Sequence, residues 1–289
     1  MRIGLATPVV TAVPGHAAEW EVTATVEELA AVAAAADALG FAYLTCSEHV
    51  AVPLADGETR GDVYWDPLAT LGFLAARTTR IRLATSVVVL GYHHPLAIAK
   101  RYGTLDRLSG GRLTLGVGVG SLAAEFELLG ASFADRGERA DDALRALRGS
   151  MSTPEPAHDG TYFSYSGMSL RPFAVQHHVP IWVGGRTKRS LRRALELGDG
   201  WIPFGLAVDQ IRAMLASAEL PDGFEIVLGT QAALDPTEEP DRVHQHLCAL
   251  RGVGATAATC SVRAHSANHY IEQLSALRDI AMDLEVVQT

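Results

Sequence analysis

Ser47-Glu48-His49 is the first stretch whose residue types could do chemistry, a titratable imidazole beside a carboxylate and a hydroxyl. An unperturbed imidazole gives and takes protons near neutral pH, so His49 is a candidate general acid/base. A hydrogen-bonded rim histidine without catalytic duty fits the same residues, and only the fold around it separates the two readings. The second stretch is Val183-Gly-Gly-Arg-Thr-Lys-Arg189. Gly184 and Gly185 leave amides unhindered, a helix opening near Arg186 and Thr187 adds partial positive charge, and Arg186, Lys188 and Arg189 are cationic. Together they suit a phosphate. A tight strand-to-helix turn with solvated arginines is the plainer alternative.

A third stretch, Gly116-Val-Gly-Val-Gly120, has GxGxG spacing rather than the GxGxxG of a dinucleotide fingerprint. Close approach of backbone to a flat ligand explains it better. Histidine pairs at 93/94, 177/178, 244/246 and 265/269 raise the question of a metal. Adjacent histidines diverge, and 244 and 246 fall on different helix faces. Only His265 and His269 face each other at i,i+4, with no HExxH and no third ligand in view, so no metal is expected. No GxSxG elbow supports acyl transfer.

These residues need elements to hold them. Short β-branched runs alternate with alanine- and leucine-rich segments of helical period, the pattern of parallel strands with crossover helices. Strands are expected at 3–7, 42–46, 81–89, 112–117, 180–183, 200–203, 225–229 and 257–262. Helices are expected at about 26–39, 67–77, 95–107, 136–148, 188–197, 209–218, 241–250 and 268–282. Eight strand–helix units in one chain of 289 residues predict an α/β fold, a single (β/α)8 barrel over 1–289. The one interruption lies between about Gly149 and Val179, before the fifth strand. There Asp159-Gly160 and Ser166-Gly167 flank Thr161–Tyr165 as turns flank a hairpin. In such barrels chemistry gathers at the C-terminal strand ends, which brings 47–49, 86 onward, 118–121 and 184–188 to one mouth and favours the acid/base reading of His49.

Composition narrows the partners. With 24 Lys+Arg against 33 Asp+Glu the chain has a formal charge of −9, which argues against nucleic acid or an anionic membrane and for a small molecule. No apolar run reaches the ~20 residues of a membrane helix, and Ile3 to Val13 reads as a strand rather than a signal peptide. Cys46, Cys248 and Cys260 form no CxxC pair, which fits a reducing cytoplasm.

Several of these segments resemble a known family. Leu44–Val50, Asp66-Pro-Leu, Thr79–Val88, His94-Pro95, Leu105–Arg112, Gly116–Gly120, Arg136–Arg139, Pro180–Gly185 and Gly198–Trp201 are similar to the bacterial luciferase-like flavin oxidoreductases. The similarity is greatest to the branch that uses the deazaflavin coenzyme F420. It runs from the first strand to about Phe204 and thins beyond.

The resemblance implies a barrel that holds an isoalloxazine-like ring near its axis, and an oxidoreductase moving a hydride between F420 and a small substrate. An FMN-dependent monooxygenase and a non-catalytic flavin-binding protein are the alternatives. It further implies a non-proline cis peptide at Ser86-Val87 behind the ring, His49 at the reactive face, and cofactor contacts from Glu48, Ser86, Val87, Gly118, Gly120, Ser121, Gly184, Gly185, Arg186 and Thr187. A homodimer is also implied. Two positions depart from the family pattern. Ser121 stands where sugar-phosphate dehydrogenases of the branch carry a proton-donating Glu, which argues against a glucose-phosphate activity. His93 stands where an Arg often precedes His-Pro.

Overall fold

The computed structural model describes residues 1–14 and 17–286. Its strands are β1 (Arg2–Ala6), β2 (Tyr43–Cys46), β3 (Arg82–Thr85), β4 (Leu113–Gly118), β5 (Ile181–Gly184), β6 (Gly200–Ile202), β7 (Glu225–Gly229) and β8 (Ala257–Cys260). Each pairs in parallel with the next, and β8 returns to β1, so the sheet closes into an eight-stranded barrel. Around it run α1 (Val26–Leu39), α2 (Pro67–Arg77), α3 (Pro95–Leu108), α4 (Arg136–Ser150), α5 (Lys188–Leu197), α6 (Val208–Leu215), α7 (Pro240–Gly252) and α8 (Ala267–Val286).

Local chemistry sets the helix starts. Thr25 accepts from the Glu28 amide while Glu28 reaches back to the Thr25 amide, a reciprocal cap for α1, and Gly40 ends that helix at φ +81°. Asp66 caps α2 through the Ala69 amide at 2.7 Å, with Pro67 in the first turn, where its missing N–H costs nothing.

Strand residues alternate between two interiors. Leu5, Leu44, Leu83, Leu115, Val183, Trp201 and Leu228 face the helices and are fully buried, each stabilised by about 1.5–3 kcal/mol relative to exposure. The opposite face brings Tyr43, Ala84, Trp182, Val227 and Ala257 together from five strands, which can meet only inside the barrel. Tyr43 and Trp182 pack edge to face at 5.1 Å, and the Tyr43 hydroxyl meets Thr259 Oγ1 at 2.9 Å.

Two local expectations are corrected. The third strand is not continuous over 81–89: it breaks at a cis Ser86–Val87 peptide, the bond the resemblance implies, and resumes at Val88–Val89 against β4. The Ser86 amide still donates to Cys46 O, but the chain then bulges, and the Val87 carbonyl accepts from the Glu48 amide. In the insertion, Thr161–Tyr165 is not framed by two turns. The expected hairpin is there, but its turn is Gly160–Phe163, joining the two-residue strands His158–Asp159 and Ser164–Tyr165. Asp142 of α4 is the reason, because it accepts from the Tyr162 and Phe163 amides at 2.6 and 3.0 Å and holds the turn against the helix.

Candidate active site

The predicted site residues fall at the C-terminal ends of β2, β3, β4 and β5, which are neighbours, so they form one continuous arc of the mouth. On the inner face, Gly118 and Gly184 lie under Val87. A Cβ at either would come within 2.7 or 3.1 Å of the valine methyls, so the bulge seats on two glycine-floored strand ends. Gly120, at φ +78°, is hemmed in by Phe126 and Val89 in the same way. Ser47 ties the arc together by donating to the Ser86 carbonyl at 2.8 Å.

His49 lies at the rim with 18% of its side chain in solvent. Its Nδ1 is 2.7 Å from Oε2 of Glu125, a carboxylate with no exposed side-chain surface. A carboxylate only accepts, so Nδ1 carries the hydrogen, and Nε2 has no partner among the described residues. Glu125 also accepts from the Tyr92 hydroxyl (2.6 Å) and from the Val50 and Ala51 amides (2.5 and 3.2 Å). Burial by itself would raise the Glu125 carboxyl. Hydrogen bonds from Tyr92, His49 and Val50 outweigh it and hold the group below the usual carboxylate value. Burial, together with donation to Glu125, pushes the Tyr92 phenol up, so it stays a donor. The Tyr64 ring stands edge to face on His49, 4.6 Å between centroids, presented by a ribbon in which Thr11–Ala12 pairs with Val63–Tyr64.

Glu48 has a different place from its neighbour. It is buried, its Oε2 accepts from the Val89 amide at 2.6 Å and its Oε1 meets His93 Nε2 at 2.7 Å, so it clamps the chain just past the bulge. Its two oxygens are both engaged by the protein. Ser121 lies exposed at the rim, 3.5 Å from an Arg60 guanidinium nitrogen.

At the end of β5, Gly185 adopts φ +143°, and a Cβ there would come within 2.5 Å of the Ser190 Cβ. Thr187 caps α5 by accepting from the Ser190 amide, and its own amide donates to Ser190 Oγ. Among the described residues the Arg186, Lys188 and Arg189 amides find no acceptor and their side chains, all exposed, no carboxylate partner. Arg186 rests over the Phe204 ring at 5.9 Å. The arrangement offers free amides, a helix start and three cations around a turn too tight for a side chain.

Sequence reasoning missed Glu125, Tyr92 and Tyr64. Glu125 lies in the six-residue helix Ala123–Leu128, where nothing in Ala-Ala-Glu-Phe-Glu-Leu distinguishes it from the exposed Glu127. His265 and His269 stack their rings at 4.1 Å rather than converging, and among the described residues no group of three or more His, Cys, Asp or Glu could hold a metal.

Comparison with known proteins decides the family, because the description of the luciferase-like monooxygenases matches residues 1–282. The chain belongs to that family. An uncharacterised protein of Mycobacterium tuberculosis is 30% identical over 268 residues, covering 86% of this chain and 92% of its own. Over a shorter stretch of 82 residues, 28% of this chain and 22% of the other, the chain is 46% identical to 4-hydroxyprotoasukamycin monooxygenase of Streptomyces nodosus. Among solved structures, a monooxygenase from Streptomyces bottropensis superposes with TM-score 0.81 at 20% identity, covering 99% and 100% of the two chains. An F420-dependent secondary alcohol dehydrogenase holding an F420–acetone adduct gives TM-score 0.73 at 14% identity, over 96% and 99%. The protein is thus a luciferase-like oxidoreductase on a (β/α)8 barrel.

Proposed function

We propose that the protein is a coenzyme F420-dependent oxidoreductase that moves a hydride between the deazaflavin and a small organic substrate. The His49–Glu125 pair carries this reading, since hydride movement to or from a carbonyl demands a matched proton at the oxygen. When bound, the cofactor supplies or accepts the hydride at its ring carbon. Glu125 fixes the His49 tautomer, so the free Nε2 takes the proton in oxidation and, as imidazolium steadied by the carboxylate, returns it in reduction. Gly184, Gly185, Arg186 and the cap at Thr187 would hold the phosphate, whose charge the unsatisfied amides and helix start favour. Ser86, Val87, Gly118, Gly120 and Ser121 would line the ring side, where Val87 offers an apolar contact and the glycines permit close approach. Glu48 would act at one remove, by setting Val89 and therefore the bulge. A homodimer without nucleic-acid or membrane partners, working in the cytoplasm, completes the proposal and is supported by the family resemblance, the net negative charge and the three free cysteines.

The short 46% match to a monooxygenase favours a second reading, FMN with oxygen. Fluorescence titration of the purified protein with F420 and with FMN separates them. The proposal expects saturable F420 binding at micromolar concentration or below, weakened by Arg186→Ala or Lys188→Ala with a flatter salt dependence. Binding of FMN alone would replace it with the monooxygenase reading, and binding of neither would leave no cofactor for the His49 chemistry.

A further inference from the structure

Six glycines lie within the barrel strands, and five have a reason supplied by the protein itself. A Cβ on Gly4 would run into the Tyr43 ring, on Gly116 into the Thr85 carbonyl, on Gly118 and Gly184 into or against Val87, and on Gly200 into Glu225 and Trp182. Gly229, the last residue of β7, is the exception. Its φ is not positive, and a Cβ there would meet nothing within 4 Å. Neither backbone conformation nor packing requires glycine, yet glycine weakens a strand relative to alanine. What remains is approach by a molecule that is not part of the chain.

The position faces the barrel interior. Val227, two residues back, belongs to the inner cluster with Tyr43, Trp182 and Ala257, while Leu228 between them is buried against the helices. Gly229 is exposed although Leu228 and Thr230 on either side are buried, so its open side is the mouth. Its register partner is Thr259, whose hydroxyl is engaged with Tyr43, and the next inward position on that strand path is Ser261, whose hydroxyl has no partner among the described residues. Phe204, 55% exposed, follows the neighbouring β6. Gly229, Thr259 and Ser261 are uncharged and lie on the β7–β8 side of the barrel, away from the β3–β5 arc that carries Val87 and the anion site, while Phe204 borders that arc with Arg186 over its ring.

We propose that Gly229 is a specificity-determining residue: it keeps open a compartment on the β7–β8 side of the mouth that takes the body of an uncharged, ring-sized organic substrate. The hydroxyl of Ser261 is available to an oxygen acceptor on that molecule, and Phe204 offers it an apolar face. This deepens the oxidoreductase reading by naming a substrate class, and it rests on that reading for the word substrate.

The test compares wild type, Gly229→Ala and Gly229→Leu in three measurements: thermal unfolding, titration with F420 and FMN, and saturation-transfer NMR with cyclopentanone, cyclohexanone and camphor as uncharged probes of rising size. The wild type should bind the probes. Gly229→Ala should unfold no lower than wild type, Gly229→Leu should lose camphor and cyclohexanone at least tenfold, and both should keep cofactor affinity within about threefold. A fall in unfolding temperature for Gly229→Ala would show a packing reason for glycine and overturn the proposal. Unchanged probe binding in Gly229→Leu, cofactor loss without probe loss, or a wild type that binds no probe would each overturn it as well. Failure of both cofactors to bind wild type would instead strike the oxidoreductase reading, and the probe and unfolding results would still decide the compartment.

Discussion

The two ends of the barrel use buried carboxylates in different ways. At the base, Asp37 accepts four hydrogen bonds, from the Thr79, Arg80 and Ile81 amides and the Thr79 hydroxyl at 2.6–2.9 Å, and so ties the end of α1 to the start of β3. Asp106 does the same for Val175, Gln176 and Leu113. At the mouth, Glu125 also accepts four, but two come from His49 and Tyr92, and Glu48 shares itself between the Val89 amide and His93. Backbone amides do not titrate, so the base carboxylates fix geometry alone. The mouth carboxylates hold groups that can exchange protons, as expected for a fold that keeps stability and chemistry at opposite faces.

The comparison is broken most severely by removing the imidazole. His49→Ala should lower turnover by ~10²–10⁴ while leaving cofactor affinity and unfolding midpoint close to wild type. Equal losses of activity and stability in a denaturant titration would make His49 a structural residue like those at the base. Next in size is Asp37→Ala, which strands the Thr79, Arg80 and Ile81 amides, only the last of them on a buried residue, and should cost about 1–3 kcal/mol of stability, read as a lower urea midpoint, with turnover per folded molecule unchanged. Glu125→Gln should fall between the two behaviours, with turnover down about tenfold or more and stability down by about 1 kcal/mol, because an amide oxygen still serves Val50 and Ala51.

The smallest effect is in pH. Burial would raise the Asp37 and Glu125 carboxyls, but their hydrogen bonds win and hold both below their ordinary values. A group lowered in the fold stabilises it fully above its unfolded value, near 4, and loses that contribution as pH falls through the lower folded value. Urea midpoints should therefore drop below about pH 4.5, and Asp37→Asn should flatten that slope. A midpoint that rises on acidification would contradict the assignment.

Elements with strong period and punctuation were legible. Leu44 and Leu83 alternate with inward residues, Thr25 and Glu28 announce α1, and Asp66-Pro67 announces α2, so strand and helix positions follow within a few residues. Features decided by distant partners were not legible. The broken third strand depends on what Val87 meets at Gly118 and Gly184, and the insertion turn depends on Asp142, 20 residues earlier. The site was half legible for the same reason. His49 declares itself by type and place, whereas Glu125 becomes its partner only when a short helix 76 residues away is folded against it.

The central claim is that Glu125 acts through His49 rather than as another structural clasp. A double-mutant cycle on turnover, with the cofactor that binds and a substrate it turns over, tests this most directly, using His49→Ala, Glu125→Gln and the double variant. The account predicts that the double variant is no slower than His49→Ala alone, because the carboxylate has no catalytic route left once the imidazole is gone. A double variant slower than His49→Ala by the full factor that Glu125→Gln costs by itself would contradict it.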